Sequence, residues 1–200
     1  QATIKEKLMV YPWMAVFGFI CVVLIISLPV RASTNIPTTA TFVYVTDFLS
    51  GRVLMEKQKD APMKPASMAK IMTAYIVFDR IAEGTLALTD QFIVSEKAWK
   101  MGGSRSFLQA GRSYSLDELL HGVIVQSGND AAVVIAEGIS GTEDNFAAEM
   151  NLMAAKLGMK NTTFTNSTGW PDPDLTTTAH DLALLSTAII KNFPADKFPE

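Results

Sequence analysis

The feature that most constrains this chain is a helix with almost no polar face. Pro65-Ala66 leads into the stretch 67–82 and Gly84 stands behind it, a start and a stop in helix chemistry. Ile71, Met72, Ala74, Tyr75, Ile76 and Phe78 fall on all sides of it, and a helix apolar nearly all round is buried. The rest of the chain must wrap around it. Lys70 lies in the same stretch, so its ammonium is carried into a low-dielectric place where it needs partners.

Around this helix the signals are mostly helical. Residues 42–45 and 53–55 are rich in β-branched and apolar side chains and flank the turn 47–51, which reads as a hairpin. Ser115-Leu116-Asp117-Glu118 is a capping box for a helix to about Gln126. Helices are expected over 130–137, ended by Gly138, and over 143–157, ended by Gly158. A loop over 161–175 contains Gly169, Pro171 and Pro173, and helical periodicity resumes over 179–192. A hairpin followed by clustered helices, without strand–helix alternation, points to an α+β fold. A lone hairpin is not independently stable, so its sheet calls for further strands. A sequence that opens without methionine and stops at Pro199-Glu200 just after a helix is read as a fragment.

The 200 residues are 48% apolar and 18% charged, enough to bury a core. The apolar excess is concentrated in 11–30, which holds no charged residue. Lys5 and Lys7 precede this run and Val30-Arg31-Ala32 closes it, so 1–32 reads as a signal peptide cleaved after Ala32. Pro29 and the Val-x-Ala ending favour cleavage; the rival is an uncleaved membrane anchor, since a run of this length can span a bilayer. Either way 33–200 lies outside the cytoplasm. Cys21, the single cysteine, sits inside the run, and Gly18-Phe19-Ile20 before it does not resemble a lipidation site. The remainder therefore has no disulfide. Without Lys5, Lys7, Arg31 and Glu6 the chain keeps 14 basic and 19 acidic residues, a balance that does not suggest nucleic acid as a partner.

The candidate chemistry rests on two short motifs. Ser67 begins the apolar helix, where the dipole favours negative charge and free backbone N–H groups can serve an oxyanion. Lys70, three residues on, shares its face. A desolvated lysine has a depressed pKa, and its neutral amine can take the serine proton. Ser-x-x-Lys arises by chance roughly once in a chain of this size, and its bland reading is a capping serine near a solvated lysine. The buried helix argues against that. Ser127-Gly128-Asn129 falls between two helices, where the bland reading is a turn with Asp130 as N-cap of the next helix. The functional reading makes Ser127 a proton relay between the lysine and a leaving group, with Asn129 holding the lysine and the substrate backbone. Jointly the two motifs outweigh the bland account.

His121 and His180, the only histidines, lack ligand spacing, and neither metal nor cofactor is expected. His121 reads as a helix residue with a satisfied ring and His180 as a first-turn residue beside Asp181. Trp99 and Trp170 read as packing or loop anchors, and 101–105 as a surface loop in which Arg105 is a candidate contact for an anionic substrate.

The stretch 42–192 resembles the D-alanyl-D-alanine carboxypeptidases, the low-molecular-mass penicillin-binding proteins. The resemblance lies in Pro65-Ala66-Ser67-Met68-Ala69-Lys70-Ile71-Met72-Thr73, in Gln126-Ser127-Gly128-Asn129-Asp130-Ala131, and in the opening hairpin with Asp47, Ser50-Gly51 and Val53-Leu54. Leu157-Gly158-Met159, Thr163-Phe164, Thr168-Gly169, Thr177 and Asp181-Leu182-Ala183 continue it. It implies a β-lactamase/DD-peptidase-like fold, a helical cluster on an antiparallel sheet that is incomplete here. It implies that Ser67 attacks the bond between two terminal D-alanines of a peptidoglycan stem peptide, with Lys70 as general base, Ser127 as proton relay and Asn129 as positioning residue. β-Lactams would acylate the same serine. The implied location is periplasmic or otherwise extracytoplasmic, with membrane association through an uncleaved N-terminal segment or through a C-terminal anchor outside this chain.

The family's third motif, Lys-Thr-Gly, which grips the substrate carboxylate, does not occur in the sequence. It is expected beyond Glu200, which makes 33–200 the N-terminal part of a catalytic domain, inactive alone. A class A β-lactamase would carry Ser-Asp-Asn in place of Ser127-Gly128-Asn129 and a glutamate in the later loop. No glutamate lies between Glu149 and Glu200. A penicillin-sensing or wall-binding domain without turnover is the non-enzymatic alternative, opposed by the intact Ser67, Lys70, Ser127 and Asn129.

Overall fold

The computed structural model describes residues 37–194. The segment 1–32, read above as a signal peptide or anchor, lies outside the described residues. Among the described residues no helix is long and apolar enough to cross a membrane.

Strands β1 (Val43–Thr46) and β2 (Val53–Lys57) pair antiparallel, with Val43 opposite Lys57 and Val45 opposite Met55. Asp47 builds their turn: its carboxylate accepts the Ser50 N–H at 2.8 Å and its carbonyl the Gly51 N–H at 2.8 Å. A second antiparallel ribbon, β3 (Gln91–Ile93) with β4 (Ser113–Ser115), was not foreseen from the sequence. Each of its strands has only three residues, too few for a readable alternation. Helices dominate the rest: α1 (Lys70–Ala82), the short α2 (Glu96–Trp99), α3 (Leu116–Gln126), α4 (Asn129–Ser140), α5 (Glu143–Lys156) and α6 (Ala179–Asn192). The α+β expectation is met.

Helix α1 is the central element. Every residue from Met72 to Val77 is buried, as is Lys70. One side of the helix, through Met72, Tyr75 and Ile76, joins a cluster with Phe146, Met150, Phe164, Leu175 and Leu185. Val77 joins a second cluster built on Phe92, Leu116, Leu119 and the run Ala131–Ile135 of α4. Each such aliphatic or aromatic side chain taken from water contributes about 1.5–3 kcal/mol, so α1 is held from both sides.

The helix ends follow the local chemistry. Ser115 and Glu118 complete the capping box of α3. The Thr142 hydroxyl accepts the Asn145 N–H at 3.1 Å at the start of α5, and the Thr178 hydroxyl accepts the Asp181 N–H at 3.0 Å at the start of α6. Two expectations are corrected. Helix α4 does not end at Gly138 but runs through it to Ser140; position 138 takes a glycine because the Phe92 ring of β3 occupies the place where a Cβ would stand. Gly138 is a contact glycine rather than a stop. Nor is Asp130 the N-cap: Gly128 takes that position and Asp130 sits in the first turn.

Candidate active site

Ala66 adopts a left-handed conformation (φ +48°), and a 3-10 turn over Ala66–Ala69 follows before α1 begins at Lys70. The candidate nucleophile therefore precedes the α-helix proper. Three residues per turn eclipse positions i and i+3, which places Lys70 directly beside Ser67. The Lys70 Nζ lies 3.4 Å from the Ser67 Oγ, a long hydrogen bond of the kind that shortens when substrate completes a site.

Lys70 is only 4% exposed. Its Nζ donates to the Thr168 carbonyl at 2.9 Å. Burial disfavours the ammonium form and lowers its pKa from 10.5 to about 8.

Thr168 belongs to the long loop before α6. There the Asn166 side-chain oxygen accepts the N–H groups of Thr168 (3.2 Å), Gly169 (2.8 Å) and Trp170 (3.0 Å), folding the loop into a tight hub. Gly169 (φ +79°) is required twice, by its left-handed backbone and because a Cβ would overlap the Ala66 carbonyl. That backbone-to-backbone approach sets Thr168 against Lys70. Thr168 and Asn166 were not singled out as site residues from the sequence; the Thr168-Gly169 pair was the only signal.

The second motif forms a corner between two helices. Ser127 closes α3 in the left-handed conformation (φ +54°, ψ +37°), and the Gly128 N–H returns to the Gly122 carbonyl at 2.9 Å. A non-glycine residue held left-handed carries strain of order 1–3 kcal/mol, typical of positions where geometry is imposed by function. Ser67, Lys70 and Ser127 line one cavity of about 410 Å³, with Ile71, Phe78, Val123 and Ile124 in its apolar wall. A larger cleft of about 810 Å³ between β1 and α6 contains none of the four candidate residues.

Asn129 starts α4 and is 7% exposed. Its backbone N–H donates to the Ser104 carbonyl and its side-chain amide to the Gly102 carbonyl, both at 2.8 Å. The lysine's carbonyl partner is Thr168. Asp130, fully buried, accepts the N–H groups of Ser106 (2.8 Å), Ala131 (2.9 Å) and Leu108 (3.2 Å). The segment 101–105 is a surface loop, exposed at Gly102, Gly103 and Ser104, and Asn129 tethers it through two of its carbonyls. Trp170 packs on Gly102 and Gly103 as a loop anchor, and the Arg105 guanidinium donates to the Trp99 carbonyl at 2.6 Å.

His121 Nδ1 lies 2.9 Å from the Asp117 carbonyl, and His180 meets Asp60 and packs edge-on against Tyr44. Among the described residues no group of three or more His, Cys, Asp or Glu is placed to hold a metal ion.

A serine hydroxyl beside a buried lysine, in a cavity with a second hydroxyl, is a constellation suited to nucleophilic acyl transfer. The comparisons with known proteins agree with that class. The D-alanyl-D-alanine carboxypeptidase family model, Peptidase S11, matches residues 30–198, and the chain belongs to that family. It is 39% identical over 149 residues to D-alanyl-D-alanine carboxypeptidase DacF of Bacillus subtilis, covering 74% of this chain and 38% of that protein. Among solved structures, D-alanyl-D-alanine carboxypeptidase DacD from Francisella tularensis superposes with a TM-score of 0.80 at 41% identity, covering 82% of this chain and 40% of that one. Penicillin-binding protein D2 from Listeria monocytogenes in its ampicillin-bound form gives a TM-score of 0.71 at 28% identity, covering 80% of this chain and 65% of that one. The chain spans about two fifths of the length of the curated relatives it matches.

Proposed function

We propose that the full-length protein carrying this chain is a serine D-Ala-D-Ala carboxypeptidase that trims peptidoglycan stem peptides outside the cytoplasm. The observation that carries the reading is Lys70: buried, 3.4 Å from the Ser67 hydroxyl, and with a pKa lowered by burial to about 8. At pH 7 a lysine titrating there is neutral in roughly one molecule in ten, against about one in three thousand for an ordinary lysine.

Ser67 Oγ adds to the carbonyl carbon of the penultimate D-alanine while Lys70 Nζ takes its proton. The C–N bond then breaks, and the terminal D-alanine leaves as an amine with a proton delivered through the Ser127 hydroxyl. Water hydrolyses the resulting ester and returns the hydroxyl to Ser67. Asn129, tied to the Gly102 and Ser104 carbonyls, is read as the residue that positions the substrate backbone. β-Lactams offer the same carbonyl geometry and acylate Ser67; the ampicillin complex of the Listeria relative supports this ligand class. The Lys-Thr-Gly carboxylate grip, absent from the sequence, is assigned to the part of the relatives' length that this chain does not span.

The reading is tested with labelled penicillin on the full-length protein. Covalent label is expected at Ser67 and is expected to vanish in Ser67→Ala; label that persists in that variant contradicts the assignment. Release of D-alanine from a D-Ala-D-Ala peptide separates a peptidase from a drug sensor, and rapid penicillin turnover points instead to a lactamase.

A further inference from the structure

We propose that Glu143, in the first turn of α5, is a positioning residue for the serine–lysine pair: it clamps the Ser167–Thr168 backbone against α1 and thereby keeps water from Lys70. The inference rests on the reading of Ser67 and Lys70 as nucleophile and base.

Glu143 is 73 positions away from Lys70 in sequence, yet it is bonded to the neighbour of the lysine's own partner. Its Oε1 accepts both the backbone N–H of Ser167 (3.1 Å) and the Ser167 hydroxyl (2.7 Å). Its Oε2 pairs with Lys97 of α2 at 2.8 Å. Ser167 is fully buried, and on its other side its carbonyl accepts the Thr73 hydroxyl at 2.7 Å. The next carbonyl along, that of Thr168, accepts Lys70. Lys70 and Thr73 stand three apart on one face of α1, so two consecutive carbonyls of the loop receive two side chains of one helical face.

This arrangement needs an anchor behind the loop, and Glu143 supplies it. Its carboxylate is largely withdrawn from water; that burial alone would raise its pKa, but Lys97 and the two Ser167 donors outweigh it and hold the pKa below the usual value. A buried carboxylate that receives two donors from one residue fixes that residue in place. The other charges near the pair, Glu137 and Asp144, act on Lys97. Around Lys70 itself, Ser67 and the Thr168 carbonyl are the hydrogen-bonding partners, and burial is the cause of its lowered pKa. Releasing the loop lets water reach the ammonium, which moves the Lys70 pKa back toward 10.5. The sign follows: more Lys70 is charged at pH 7 and less is available as base.

The test uses the full-length protein with lysines ¹³C-labelled at Cε, following the Lys70 resonance, assigned by its loss in Lys70→Arg, through a pH titration. In Glu143→Ala the Lys70 midpoint is expected to rise by about one pH unit, and penicillin acylation at pH 7 to slow about tenfold. Glu143→Gln keeps the acceptor for Ser167 and is expected to restore the wild-type midpoint. Should Glu143→Ala fail to fold, Ser167→Ala removes one of the two bonds and is expected to shift the midpoint in the same direction. An unmoved Lys70 midpoint in a folded Glu143→Ala, or in Ser167→Ala where Glu143→Ala does not fold, would show Glu143 to be a structural residue only and overturn the proposal. Wild-type protein that titrates as described but is never acylated would instead defeat the reading of Ser67, leaving the positioning result to stand by itself.

Discussion

Ser127 and Asn129 occupy a corner whose defining bond joins Gly122 to Gly128, whereas the Ser167 and Thr168 carbonyls are held to α1 by side-chain bonds that span 94 and 98 positions respectively. Both walls face the Ser67–Lys70 turn, but they draw on different physics. The corner is a helix C-cap running directly into the next helix; its turn is closed by Gly122, and its other ties, from Asn129 to the Ser104 and Gly102 carbonyls, reach no further than 27 positions. The loop wall has no regular structure of its own; it holds position because Asn166 gathers its amides and because Gly169 lies against Ala66. A locally specified wall tolerates distant change, and a wall specified at long range does not.

The largest effect is therefore expected at the loop. In Gly169→Ala the new Cβ meets the Ala66 carbonyl and the residue must keep φ near +79°. We expect a loss of about 3 kcal/mol or more in stability, by denaturant unfolding, together with loss of penicillin acylation. Stability within about 0.5 kcal/mol of wild type would show that the two backbones can separate without harm. The smallest effect is expected at the start of α3, the helix that ends at Ser127. Ser115→Ala removes half of a capping box and is expected to cost about 1 kcal/mol while leaving the acylation rate within twofold. A large fall in rate there would mean that the corner also depends on the far end of its helix.

The same division explains what could be read in advance. The hairpin, the capping box, α5 and α6 rest on turn glycines, caps and periodicity, which are local, and they stand where the sequence placed them within a residue or two. Gly138 misled because a glycine in a helical pattern reads as a stop, and only the arrival of Phe92 from 46 positions away reveals it as a contact. The bland reading of Asp130 as an N-cap fails for a similar reason: its carboxylate serves the backbone of the 106–108 segment, a partnership with no sequence signature. The candidate site was legible in its side chains, Ser67, Lys70 and Ser127, which the cavity brings together. The partner of the lysine was not, because a backbone carbonyl has no identity in sequence. Glu143 was hidden for the same reason. It reaches the later loop from the first turn of α5, 24 positions before Ser167.

Stability should also carry the mark of Lys70. Its folded pKa of about 8 lies below its ordinary 10.5, so the unfolded chain binds more protons between those values and stability rises with pH across that window. The rise is expected in wild type and absent from Lys70→Met when the two are compared by urea unfolding from pH 7 to 10.5.

The central claim is that burial prepares Lys70 to take the Ser67 proton, and the pH dependence of Ser67 acylation by labelled penicillin tests it most directly. The rate is predicted to climb about tenfold per pH unit below the midpoint, to level off around pH 8, and to vanish in Lys70→Met at every pH. A rate indifferent to pH between 6 and 9, or acylation retained by Lys70→Met, would contradict it.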